Sequence, residues 1–134
     1  LHMTIVENNL INIIKLKVRG TINSYDLMLM RNKMVNLKDL DLSEATIVSN
    51  SYEYFSNNGI GYSSVDNKLT RYALQPNLFA VKLPKSITSI ESYALEELTH
   101  VGEIEIPANV LSLGSYAANN LKYLKALTFA ENIL

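Results

Sequence analysis

Catalysis and metal binding need several reactive side chains that converge, and this chain offers few of them. It has two histidines, His2 and His100, and no cysteine in 134 residues. Disulfides, thiolate nucleophiles and thiolate metal sites are therefore excluded together. A single histidine in the body of the chain makes neither a zinc centre nor a catalytic triad. His100 reads instead as a solvated residue, and no metal, cofactor or enzymatic activity is expected. Gly59-x-Gly61 lacks the third glycine and the following Lys-Ser/Thr of a phosphate loop, so it reads as a flexible turn. Asp39-x-Asp41-x-Ser43 imitates the opening of a calcium loop. Its sixth position is Glu44 where a glycine is needed, and these residues read as the outward side of a strand.

Two other groupings could recognise a partner without chemistry. Tyr52, Tyr54, Phe55 and Tyr62 lie close together among Ser, Asn and Gly. That mixture joins rigid aromatic area to adaptable hydrogen bonding, as in binding loops. The same rings could also fold back and cover the edge of an irregular turn. The second grouping is a series of charged residues, Lys17, Asp41, Lys82 and Glu105, followed by Thr128. It acquires meaning only from the elements that would align it.

Those elements follow from an internal repeat. Leu78-x-x-Val81-x-Leu83-Pro84, Val101-x-x-Ile104-x-Ile106-Pro107 and Leu124-x-x-Leu127-x-Phe129 begin 23 residues apart. Between the first two starts, Ile87 matches Val110, Ile90 matches Leu113, Ser92-Tyr93-Ala94 matches Ser115-Tyr116-Ala117, and Leu98 matches Leu121. Upstream, Ile13-x-x-Leu16-x-Val18 and Leu37-x-x-Leu40-x-Leu42 carry the same skeleton 24 residues apart. The next interval, from Leu37 to Leu78, is 41 residues and so holds an insertion, placed at Ser49–Arg71. One domain is expected: a cap region over 1–12, repeats over 13–36, 37–77, 78–100 and 101–123, and a partial repeat over 124–134.

Within L-x-x-L-x-L the last two apolar residues sit two apart and share one face of a short strand, while the residue between them points away. One such strand cannot hide its apolar face. Stacked coils can, with a parallel ladder along one side. Pro84 and Pro107 stop the strand by withholding an N–H, and the spacing of Ala94, Leu95 and Leu98 predicts a short helix on the return. A longer helix is expected in the first coil, capped by Ser24, with Asp26 in its first turn and Leu27, Met30 and Met34 along one side. The fold class is thus α/β: a leucine-rich repeat solenoid with a parallel ladder on one side and short helices and turns on the other. In register, Lys17, Asp41, Lys82, Glu105 and Thr128 would stand roughly 4.8 Å apart, and their alternating signs suit mutual neutralisation better than an ionic ligand.

Hydrophobic residues make up 48% of the chain and charged ones 19%, which supports a packed core and not a disordered tail. A net charge of −1 gives no field of one sign for nucleic acid or an anionic membrane surface. No apolar run approaches the roughly 20 residues that cross a bilayer, and no basic stretch leads into an apolar core at the start. Ile133-Leu134 falls in mid-turn without a polar cap. Further chain, or end-to-end self-association, is expected to cover it.

Leu83-Pro84-Lys85-Ser86-Ile87-Thr88-Ser89-Ile90 through Ser92-Tyr93-Ala94-Leu95, and more weakly Ile106-Pro107-Ala108-Asn109-Val110 through Tyr116-Ala117, resemble the BspA-type leucine-rich repeats of bacterial surface proteins. With the upstream stretches Val18–Asn23 and Asn36–Ser43, the resemblance covers Ile13 to Leu134. It departs at Leu98 and Leu121, where the family often has Cys, at Glu91, where Gly is usual and Gly114 keeps it, and at Ala118, where a large Phe is common. A thinner core is expected beside Ala118. The resemblance implies an extracellular or surface-attached, non-enzymatic module for adhesion or protein recognition, with a protein or host extracellular-matrix partner. A spacer with no ligand of its own is the alternative.

Overall fold

The computed structural model describes residues 7–131; His2, Ile133 and Leu134 lie outside the described residues. A 3-10 turn, Glu7–Asn12, leads into β1, Lys15–Ile22, and the first coil returns through α1, Ser24–Met28, and a π turn at Leu29–Lys33. The second coil opens with β2, Asp39–Ile47, and then releases a hairpin, β3, Glu53–Asn57, and β4, Ile60–Ser63. The stack resumes with β5, Lys68–Leu69. Later coils carry β6, Ala80–Lys82, with β7, Ser89–Ile90, then β8, Glu103–Ile106, with β9, Ser112–Leu113, and finally β10, Ala126–Phe129. Pairing between coils is parallel throughout, in the sheets β1-β2-β6, β5-β7-β9 and β8-β10. The chain is a β-solenoid of about five turns with little helix.

The expected core positions fill the interior. Leu40, Leu42, Val81, Leu83, Ile104 and Ile106 are buried from the strands, and Leu37, Leu78, Val101, Leu95 and Leu98 from the remainder of each coil. Each such side chain contributes about 1.5–3 kcal/mol when removed from water. The paired strands of the first two coils are long and run past a bulge between Lys17 and Arg19. In later coils they split in two at Pro84 and Pro107, whose missing N–H interrupts the ladder. Leu113, Leu127 and Phe129, on the last coils, are exposed, and Ala118 is half-buried where the equivalent Leu95 is fully buried.

Two local expectations are corrected. The return segments of the later coils are turns and not helices, because Tyr72, Tyr93 and Tyr116 adopt left-handed φ of 62°, 62° and 57°, which no α-helix accommodates. The same turn recurs three times, closed by the N–H of Ala73 to the Thr70 carbonyl, Ala94 to Glu91 and Ala117 to Gly114. The N-cap of α1 is Asn23 and not Ser24. Its side chain accepts the Tyr25 N–H, while Asp26 accepts the Asn23 N–H in return, both at 2.9 Å.

Ser24 has another task. Its buried hydroxyl accepts the Ser64 N–H at 2.7 Å and lies 3.1 Å from the Asn50 carbonyl, and Ser64 Oγ donates to the Val48 carbonyl at 2.7 Å. These bonds fasten the neck of the insertion to the start of α1. Asn67 N–H then returns to the Ile47 carbonyl at 3.0 Å. The stack therefore resumes at Asn67, ahead of Arg71.

Candidate functional site

The insertion folds as a β-hairpin. Asn58 and Gly59 hold φ of 53° and 79° between the paired residues Asn57 and Ile60, the two-residue turn of type I′ that Asn-Gly favours. Reading Gly59-x-Gly61 as merely flexible passes over this hairpin signal.

The four aromatic residues of the insertion divide. Tyr54 is 1% exposed, and its hydroxyl meets Thr70 Oγ1 at 2.6 Å and the Arg71 carbonyl at 2.5 Å. Burial pushes its phenol up to about 12. The Tyr54 hydroxyl is thus spent inside the fold, although the residue forms part of a groove wall. Phe55 and Tyr62 are half-buried, each 4.9 Å from the Tyr72 ring, and the Arg31 guanidinium lies 4.0 Å over Phe55. Asn57 Nδ2 donates to the Tyr72 hydroxyl at 3.0 Å. Only Tyr52 remains largely open, 45% exposed, edge-on to Tyr25 at 5.7 Å.

Tyr25 and Tyr52 stand at an open groove of about 770 Å³ between the helical turn of the first coil and β3. Met28, Asn32 and Lys33 on one side and Glu53, Tyr54, Phe55 and Ser56 on the other complete its lining. Tyr25 and Asn32 were not among the residues singled out from sequence, because nothing local brings 24–33 beside 52–56. The serine clasp at the insertion neck does so.

The ladder charges pair with one another where they are aligned. Lys15 lies 3.7 Å from Asp39, Lys17 lies 4.0 Å from Asp41 and 3.4 Å from Glu44, and Arg19 lies 2.7 Å from Glu44. The Ser43 hydrogen bonds, with Lys17 and Lys82 behind them, hold the Asp41 carboxyl below its usual range. Lys17 and Arg19 do the same for Glu44. Lys82 is in register with Asp41, and Glu105 with Thr128. β6 and β8 belong to separate sheets, so no ladder register links Lys82 with Glu105.

Two ring columns run along the coils. In one, Arg71 lies 4.8 Å from the Tyr72 ring and 4.6 Å from Tyr93, which stacks on Tyr116 at 5.4 Å. Arg71 also bonds Glu96, and Arg31 Nη1 lies 3.0 Å from Glu97 and donates to the Leu74 carbonyl at 2.9 Å. In the other, Phe79 lies tilted 5.3 Å from His100, which stacks on Tyr123 at 5.9 Å, beside a notch of about 420 Å³ that reaches Gly102, Glu103 and Lys125. The 23-residue offset aligns His100 with Tyr123, a signal that passes unnoticed when attention rests on the apolar positions. Among the described residues, no three His, Cys, Asp or Glu side chains converge to hold a metal ion, and no helix is long and apolar enough to cross a membrane.

Parallel strands stacked coil on coil, with buried aliphatic residues at a 23-residue period, define a leucine-rich repeat solenoid. The family described as BspA type leucine rich repeat region (6 copies) matches residues 70–134, and this part of the chain is a repeat region of that family. The match begins at the first of the three recurring turns, Thr70–Ala73. No curated protein matches the chain.

Proposed function

We propose that the chain is a non-enzymatic recognition module of a surface or secreted protein, which engages a protein or host extracellular-matrix partner through the groove beside β3. The observation that carries this reading is the pair Tyr25 and Tyr52, half-exposed on a frame held by the buried Ser24 and Ser64 hydroxyls. Exposed aromatic rings on a preorganised scaffold contribute binding area with little ordering cost. The balanced charge of the chain favours such a partner over a polyanion. Binding of the chain to a panel of purified extracellular-matrix proteins tests it. Tyr25→Ala with Tyr52→Ala should weaken capture about tenfold or more while the circular dichroism spectrum stays unchanged. Equal capture by the double variant would count against the groove.

A spacer function is the second reading. It is favoured by the internal use of Tyr54, Phe55 and Tyr62, which leaves less of the insertion for a ligand. A spacer would capture nothing from the panel.

A further inference from the structure

We propose that the outer edge of β1 takes up an extended segment of a partner protein in which acidic and aliphatic residues alternate. This surface is separate from the groove and does not rest on the recognition reading above.

β1 is an edge strand: among the described residues, β2 is the one strand paired with it. The 3-10 turn Glu7–Asn12 packs on the return side of the first coil, against Leu29–Lys33, where the Ile11 carbonyl accepts Asn36 Nδ2 at 2.7 Å. On the ladder side, the Asp39 N–H donates to the Ile14 carbonyl at 3.1 Å and the Val48 N–H to the Ile22 carbonyl at 2.9 Å. Even-numbered residues of the strand therefore turn their N–H and C=O groups toward β2, and Lys15, Lys17 and Arg19 turn theirs outward. No other described group is hydrogen-bonded to those outward groups. The run continues up to Gly20, whose φ of 84° departs from strand geometry.

The side chains define what would complete this edge. On the solvent face Lys15, Lys17 and Arg19 are 81%, 46% and 74% exposed. Signs alternate across the sheet, with Lys17 in register with Asp41 and Asp41 with Lys82, so an acidic residue beyond β1 continues the order. On the core face Ile14 is exposed and Leu16 half-buried, whereas Leu40, with a strand on both sides, is fully buried. Aliphatic residues of an added strand would cover Ile14 and Leu16. β2 itself, Asp39-Leu40-Asp41-Leu42, shows the pattern that β1 accepts on its other side. A second copy does not fit, because β1 paired with β1 sets Lys and Arg against Lys and Arg.

The full chain is titrated into a labelled peptide that alternates aspartate and valine and matches β1 in length, with fluorescence anisotropy as the readout. A lysine–valine peptide and a peptide with its aspartates and valines in separate blocks are the controls. The alternating acidic peptide should bind about tenfold or more tightly than either, and added salt should weaken it. Single backbone N-methyl groups should weaken binding about tenfold at every second position and much less at the positions between. Lys17→Pro removes an outward N–H but no bond to β2, a change that an edge strand tolerates, and should weaken binding about tenfold; Lys17→Ala, which keeps the N–H, should weaken it less. If Lys17→Pro fails to fold, the N-methyl scan decides. Tyr25→Ala with Tyr52→Ala should leave the affinity for the peptide unchanged, and a loss there places the peptide in the groove and overturns the proposal. Absent binding, equal binding of either control, or a scan without alternation also overturns it.

Discussion

The two ring columns arise from the same stacking of coils and both end on an exposed tyrosine, Tyr116 and Tyr123, yet they begin in different environments. The Tyr72 column is interleaved with charge: Arg31 sits over Phe55, Arg71 is held between Tyr72 and Tyr93, and Glu96 and Glu97 take the guanidinium groups. The Phe79 column has Lys38 at 5.5 Å from its first ring, and both Phe79 and Tyr123 are more than half exposed. A buried guanidinium must have its donors satisfied, and that requirement pulls neighbouring rings and carboxylates into one framework. Without such a requirement the first ring of the other column, Phe79, stays at the surface, where Tyr72 is buried. Periodicity therefore places rings in rows, and their partners decide whether a row supports the fold or faces outward.

Paired glycines give the sharpest test of that contrast. A Cβ on Gly114 would lie 2.2 Å from the Ser92 backbone nitrogen, so the coils that stack Tyr93 on Tyr116 would have to separate. Gly114→Ala should lower stability by about 3 kcal/mol in urea unfolding, and an unchanged midpoint would show that these coils are loosely packed. Tyr72→Gly comes next. It relieves a left-handed residue but removes the ring between Phe55, Tyr62 and Arg71, for a net loss of about 2–3 kcal/mol.

The Tyr54 phenol supplies a pH test of the same framework. Its folded value, about 12, lies above the ordinary 10, so its contribution is complete below pH 10 and is lost as pH rises toward 12. Stability should fall over that interval by about 2 kcal/mol more in the parent than in Tyr54→Phe. Parallel curves would remove Tyr54 from the buried network. The smallest effect belongs to the rim. At Gly102 a new Cβ meets only the Tyr123 carbonyl, at 4.0 Å, so Gly102→Ala, like Phe79→Ala, should shift stability by no more than about 0.5 kcal/mol. A larger loss in either variant would show that the rim column also supports the fold.

The coil interior was legible from the residues because Leu78, Val81 and Leu83, and their equivalents 23 positions on, obey a rule that needs only local geometry. Arg71-Tyr72-Ala73-Leu74 carried the same turn as Ser92-Tyr93-Ala94-Leu95, but at a spacing of 21 and across the end of the supposed insertion, Ser49–Arg71. The expected helix caps failed at Ser24 because its hydroxyl serves a partner 40 residues away. Of the groove, Tyr52, Tyr54 and Phe55 were named from sequence, whereas Tyr25, Met28 and Asn32 were not. Each depends on which strand edge meets which helical turn.

What the linear order of residues determined here is the repeat: aliphatic side chains at a fixed period can leave water only by stacking coil on coil, so spacing alone dictates the solenoid. The division of the insertion into a buried Tyr54 and an open Tyr52 was decided only in three dimensions. It turns on hydrogen bonds and ring contacts between segments far apart in the chain, and those distances are set by how the coils close on one another.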